Sequence, residues 1–287
     1  MSENDQMQVS ILASSSSGNT TYIETPQHKI LVDAGMSGKR VQDLMHSIGR
    51  DLKDVDSLLV THEHRDHSSG VGVLARRYGM DVYANQPTWD AMASIIGKVP
   101  AEHQHLFEMG KTKTLGDIDV ESFGVSHDAA AAQFYQFHHN DRSFAMLTDT
   151  GYVSDQLRGT LANANAYLVE CNHDLEMLRM GQYPWSLKQR ILSDTGHLSN
   201  EDGAAALMAC MGQQTKKIFL GHLSQENNMK ELAHLTVASI MKEHDYGVGT
   251  DFEILDTDPA IADPLFAVWK WVRWVAGSNW ALIINNR

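Results

Sequence analysis

Between Ser57 and Gly70 the chain reads SLLVTHEHRDHSSG, which puts His62, His64 and His67 with Glu63 and Asp66 into six positions directly after an apolar run. Leu58 to Val60 reads as the end of a buried strand, so the polar cluster begins where a strand gives way to a loop. In an extended segment, side chains two apart share a face, so His62 and His64 can aim at one point. Asp66 and His67, past Arg65, can address a second. Imidazole nitrogen and carboxylate oxygen suit zinc or manganese, and a catalytic site keeps one coordination position open. The alternative is a solvated, charge-rich loop. One loop cannot supply two metals alone, and the chain offers further ligands at strand ends: His127 after ESFGVS, Asp149 after FAMLT and His222 after KKIFLG.

The elements that must position these groups alternate along the chain. Strand-like runs are QVSILA, TYIET, HKILVDAG, SLLVTH, DVYAN, DIDVESFGVSH, AAQFYQFHH, RSFAMLTD, AYLVECN, KKIFLGH and FEILD. Helical spacing is seen in GKRVQDLMHSI, TWDAMASII, VSDQLRGTLANA, DLEMLRMG, SLKQRIL, NEDGAAALMACMG and MKELAHLTVASIMKEH. Turns link the early strands and helices the later ones, which favours an α/β sandwich of mixed sheets with helices outside. No internal repeat is evident.

A chain of 287 residues with 43% apolar content can bury a large core without staples. Only two cysteines, Cys171 and Cys210, lie in apolar stretches, and no signal-like segment precedes MSENDQMQVSILA, so a cytoplasmic location is expected. A formal net charge of −13 argues against broad, charge-driven binding to nucleic acid or membrane. A phosphate substrate therefore needs local positive charge.

The pattern H-x-H-x-D-H, followed by His, Asp and His at later strand ends, resembles the metallo-β-lactamase superfamily of binuclear metallohydrolases. The likeness runs from Met7 to about Val268. Within it, SSSSGNTTYIE, ILVDAGMSGK, VTHEHRDHSSG, SHDAA, LTDTGYVS, VECNHD, SDTGHLSNED and LGHLSQENN resemble the YycJ/WalJ-type group of Gram-positive bacteria, described as DNA exonucleases. The resemblance implies a metallo-β-lactamase αββα sandwich over residues 1–268, with its site at one edge of the two sheets. It implies two divalent metal ions, zinc or manganese: His62, His64 and His127 for one, Asp66, His67 and His222 for the other, and Asp149 bridging. Asp33 in LVDAG would brace the metal-binding loop.

Two such ions lower the pKa of a shared water, generate a hydroxide and clamp the oxygens of a phosphodiester, so no protein nucleophile is needed. Among the proposed ligands only Asp66 and Asp149 carry negative charge, which leaves the centre net positive and attractive to DNA. Asp66 and His197 are the expected catalytic residues. His197 lies in SDTGHLSN, a polar turn before a helix that Ser199 or Asn200 could cap. Related phosphodiesterases use a non-ligand histidine near the scissile phosphate, which makes His197 the expected proton donor to the leaving oxygen. The alternative is a histidine that fastens the turn. Ser16 and Asn19 in SSSSGN would line the phosphate path, or merely form a tight turn. Lys188, Arg190, Lys216 and Lys217 are candidate cationic contacts near the later motifs, Lys188 and Arg190 for phosphate, although lone surface cations are usually just solvated. His173 lies at a strand end and would border the site.

Residues 269–287 hold four of the six tryptophans and depart from the family pattern. Lys270, Arg273 and Asn279 interrupt the segment too often for a membrane span. It reads either as an extension of artificial or read-through origin, or as a native segment whose tryptophans contact a partner, such as a second copy of the chain. Rival activities are a glyoxalase II-like thioester hydrolase, whose helical C-terminal domain is not found here, and a regulatory binding member, which would tolerate lost ligands. Lactamase activity is a weaker rival, and the flavo-di-iron branch has Glu where this chain has His64.

Overall fold

Side chains alternate across β3 (Lys29–Val32): Ile30 and Val32 pack into an apolar cluster shared with the second sheet, while Leu31 packs into a cluster beneath helices. Leu58 and Leu59 in the neighbouring strand divide the same way. Both faces of the sheet are thus covered, as a parallel segment requires. The computed structural model describes residues 6–268; the Trp-rich tail lies outside the described residues.

The first sheet holds β1 (Gln8–Ala13), β2 (Thr20–Glu24), β3, β4 (Ser57–Leu59), β5 (Asp81–Ala84) and β6 (Gln104–Leu106). The second holds β7 (Thr112–Leu115), β8 (Ile118–Gly124), β9 (Gln133–His139), β10 (Arg142–Leu147), β11 (Ala166–Glu170), β12 (Lys217–Gly221) and β13 (Glu253–Asp256). The last strand among the described residues, β14 (Phe266–Ala267), returns to the first sheet beside β1, so each sheet has seven described strands. The helices are α1 (Gly38–Ser47), α2 (Arg65–Ser68), α3 (Val71–Tyr78) and α4 (Gln86–Ile96), then α5 (Asp155–Thr160), α6 (Leu175–Met180), α7 (Trp185–Ile191), α8 (Asn200–Cys210) and α9 (Lys230–Glu243). The αββα sandwich is the one expected.

Its wiring differs from the sequence reading. Turns join β1 to β3 and β7 to β10, whereas helices join β3 to β6 and β10 to β13, so each half runs antiparallel first and parallel afterwards. The division is within each half, not between early and late strands. Helix α3, VGVLARRY, has no counterpart in the sequence reading because Gly70 and Gly72 look like loop residues. Gly72 is there for packing: a Cβ on it would lie 1.9 Å from the Ile96 carbonyl of α4.

Strands β3 and β4 are parallel, as are β10, β11 and β12. Asp33, His62, Asp149, Glu170 and His222 therefore collect at carboxyl ends of strands, the edge at which open α/β sheets place ligands.

Candidate active site

Three of these strand-end residues have left-handed backbones although none is glycine: Asp33 (φ 60°), Asp149 (φ 52°) and His222 (φ 56°). Such conformations are disfavoured for side-chain-bearing residues and concentrate where function holds them. The HEHRDH loop is pinned to its neighbours. Asn19 N–H donates to the Asp66 carbonyl at 2.8 Å, and a Cβ on Gly35 would sit 1.6 Å from the same oxygen. Asp33 accepts from Thr61 N–H and Thr61 Oγ1, both at 2.8 Å.

Two groups of donors face each other across Asp149. His62, His64 and His127 have ring centroids 4.7–5.1 Å apart. His127 turns Nδ1 toward the Gly196 carbonyl at 3.2 Å, which leaves Nε2 3.3 Å from His64 Nδ1. In the second group, His67 donates from Nδ1 to Asp33 at 2.8 Å and His222 donates from Nδ1 to Glu170 at 2.9 Å. Their Nε2 atoms each lie 3.5 Å from Asp66 Oδ2 and 3.2 Å from an Asp149 oxygen. Such outer bonds fix the ring orientation of a metal-binding histidine.

Buried polar atoms normally find a partner. Here His62 Nε2, His222 Nε2 and Asp149 Oδ2 have no hydrogen bond among the described residues, and all three point into the cluster. That is the deficit a divalent cation fills, so the residues present fit the metal the chemistry demands. Burial opposes the charge on Asp149, yet His222 and His67 hold it well below the usual carboxylate range. Burial likewise opposes protonation of His222, but Asp149, Asp66 and Glu170 outweigh it and raise the imidazole to about 10. Burial, reinforced by the charge of His67, takes His62 well below its ordinary value. Loading cations here must release protons.

Glu170 is the functional residue that the sequence reading missed. It is fully buried, and its Oε1 accepts from Nδ1 of both His197 (2.7 Å) and His222 (2.9 Å). Oε2 accepts from the N–H groups of Thr150 and Leu198. Burial opposes its charge, but His197 and His222 bring the carboxyl down to about 2. A signal was present: a lone acid at the end of the apolar run AYLV has to be paired if buried.

A cavity of about 170 Å³ adjoins the cluster, with His197, Ser16, Asp128, Asn172, Tyr183 and Arg190 in its wall. The structure thus brings His197, Ser16 and Arg190 together, but not Lys188 or Asn19. Lys188 is buried and donates to the carbonyls of Arg179 and Gly181, both at 2.7 Å, which fastens the α6–α7 connection. Asn19 is buried too, with Nδ2 2.8 Å from the Ser15 carbonyl and 3.1 Å from His67 Nε2; it braces the loop. Ser14 likewise accepts from His222 N–H at 2.8 Å. Lys216 and Lys217 lie at the opposite end of β12 from His222, where they reach the Asp251 carbonyl and Glu253. His173 is buried behind the site, and loss of hydration takes its imidazole down to about 4.

Residues 28–223 match the family model described as the beta-lactamase superfamily domain. Over 258 residues the chain is 61% identical to exodeoxyribonuclease WalJ of Streptococcus pneumoniae, covering 89% of this chain and 96% of that one. It is 55% identical over 250 residues to exodeoxyribonuclease YycJ of Bacillus anthracis, covering 87% and 95%. Among solved structures, the metallo-β-lactamase fold protein YhfI of Bacillus subtilis superposes with a TM-score of 0.67 at 14% identity, covering 90% of this chain and 99% of that one.

Proposed function

The chain belongs to the beta-lactamase superfamily, and from that premise we propose that it is a binuclear metal-dependent phosphodiesterase acting as a DNA exonuclease. The observation that carries the reading is the pair of donor groups around Asp149, with His62 Nε2, His222 Nε2 and Asp149 Oδ2 unmatched, beside a cavity with His197 in its wall. His62, His64 and His127 would hold one ion and Asp66, His67 and His222 the other, with Asp149 facing both groups. Zinc and manganese both suit this mixed nitrogen and oxygen set.

When bound, two divalent ions supply Lewis acidity to the phosphoryl oxygens and bring the pKa of a water toward neutrality. The chain's own groups do the rest. Glu170 fixes the His197 ring through Nδ1, which leaves Nε2 to carry the proton that the leaving oxygen takes. Burial opposes protonation of His197, yet the adjoining Glu170 carboxylate raises its pKa, as a proton donor requires. Ser16 and Arg190, in the same cavity wall, orient the phosphate. Attraction to DNA is local, since the whole chain is acidic. No helix among the described residues is long and apolar enough to cross a membrane.

The test is an assay on end-labelled linear DNA, covalently closed circular DNA and lactoylglutathione with manganese or zinc. Linear DNA loses terminal nucleotides while closed circles persist. Rapid thioester hydrolysis without DNA cleavage would overturn the proposal.

A further inference from the structure

Asp128 follows His127 and, among the described residues, is the one carboxylate in the wall of the cavity that holds His197 and Arg190. Its backbone is anchored, with N–H donating to the Thr195 carbonyl at 3.1 Å. Its two oxygens face different partners. Oδ1 lies 3.5 Å from His127 Nε2, the nitrogen turned toward the donor cluster. Oδ2 accepts from Arg190 Nε in an ion pair whose arginine side chain is otherwise half exposed.

Those are the two directions in which a phosphate held here must be gripped, by the cationic centre on one side and a guanidinium on the other. A carboxylate spanning them presents two acceptor oxygens, as a phosphate does. We infer that Asp128 is an internal mimic of the substrate phosphate: in the resting site it occupies Arg190 and the His127 side of the cavity, and an incoming phosphate must displace it. This rests on the phosphodiesterase reading above. The exchange breaks the Asp128–Arg190 pair and forms an Arg190–phosphate pair, with Asp128 turning to solvent. It sets a threshold against weak anions, because only a ligand that grips both sides recovers what the broken pair loses.

The opposite role is also concrete: Asp128 could hold Arg190 in place for the phosphate. The two roles differ in sign. Calorimetric titration of inorganic phosphate into the full-length, metal-loaded protein distinguishes them, with metal content and circular dichroism checked for each variant. Asp128→Asn keeps the shape and removes the charge; Asp128→Ala also removes any residual bond to Arg190. Both should bind phosphate more tightly, by about tenfold for loss of a like charge at this range, and KM for bis-p-nitrophenyl phosphate should fall in step. Unchanged or weaker phosphate binding in both variants, with metal content intact, would overturn the mimic and leave Asp128 as a positioning residue. If neither the wild type nor either variant binds phosphate, and no phosphodiester is cleaved, the phosphodiesterase reading fails and the mimic falls with it.

Discussion

Glu170 accepts a hydrogen bond from His197 Nδ1 at 2.7 Å, and the same oxygen accepts from His222 Nδ1 at 2.9 Å. One buried carboxylate therefore orients both the proposed proton donor and a proposed metal ligand. Glu170→Gln should cost about 10–100-fold in metal affinity or activity. It also withdraws the charge that favours protonated His197, so the alkaline limb of the pH–rate profile should move to lower pH. A metal titration and that profile check the two effects; a rate loss with an unmoved limb would mean that Glu170 acts on His222 alone.

Asp149 lies within 3.2 Å of His67 Nε2 and His222 Nε2 and 3.8 Å from His127 Nε2, so it touches both donor groups. Asp149→Ala should lose metal and activity together, because it removes the carboxylate that faces both donor groups and offsets the repulsion of two adjacent cations. Arg65→Ala, in the same loop, should leave metal content intact. Elemental analysis of the two purified variants decides, and a fully loaded, active Asp149→Ala would refute the bridge.

The central loop was legible because its chemistry is packed into six consecutive positions and begins where a strand ends. His127, Asp149 and His222 were legible for the same reason, each following an apolar run. Glu170 escaped because its partners come from α8's approach and from the end of β12, contacts that no local spacing encodes. Lys188 misled in the other direction: a lysine near a motif looks like a phosphate contact, and only the folded α6–α7 connection shows its ammonium spent on two carbonyls. Helix α3 was hidden by two glycines set there for packing, Gly72 against Ile96 of α4 and Gly70 against the carbonyls of Ala34 and Met36.

His197 separates a phosphodiesterase from a generic hydrolase. His197→Ala should keep metal and fold yet lose on the order of 10²–10⁴ in turnover on DNA. The loss should shrink on bis-p-nitrophenyl phosphate, whose leaving group departs as a stable anion. Equal losses on both substrates would make His197 a phosphate-positioning group instead.

Asp263 predicts a pH effect on stability away from the site. Burial, against the opposing pull of Lys230, raises its carboxyl to about 6, and its Oδ2 has no partner among the described residues. The folded state thus holds a proton that the unfolded chain releases near pH 4, so this group costs nothing below about pH 4 and a growing penalty up to about pH 6. Asp263→Asn should raise the melting temperature over wild type most above pH 6, with the gain fading toward pH 4. A gain independent of pH, seen in thermal melts across that range, would contradict the assignment.

The most direct test of the account is the number of divalent ions bound per chain, counted by elemental analysis during stepwise reloading of the metal-stripped protein, with DNA hydrolysis followed in the same samples. The account predicts saturation close to two manganese or zinc ions per chain and full exonuclease activity only as the second ion fills. Saturation at one ion or none, with no hydrolysis of DNA under either metal, would contradict it.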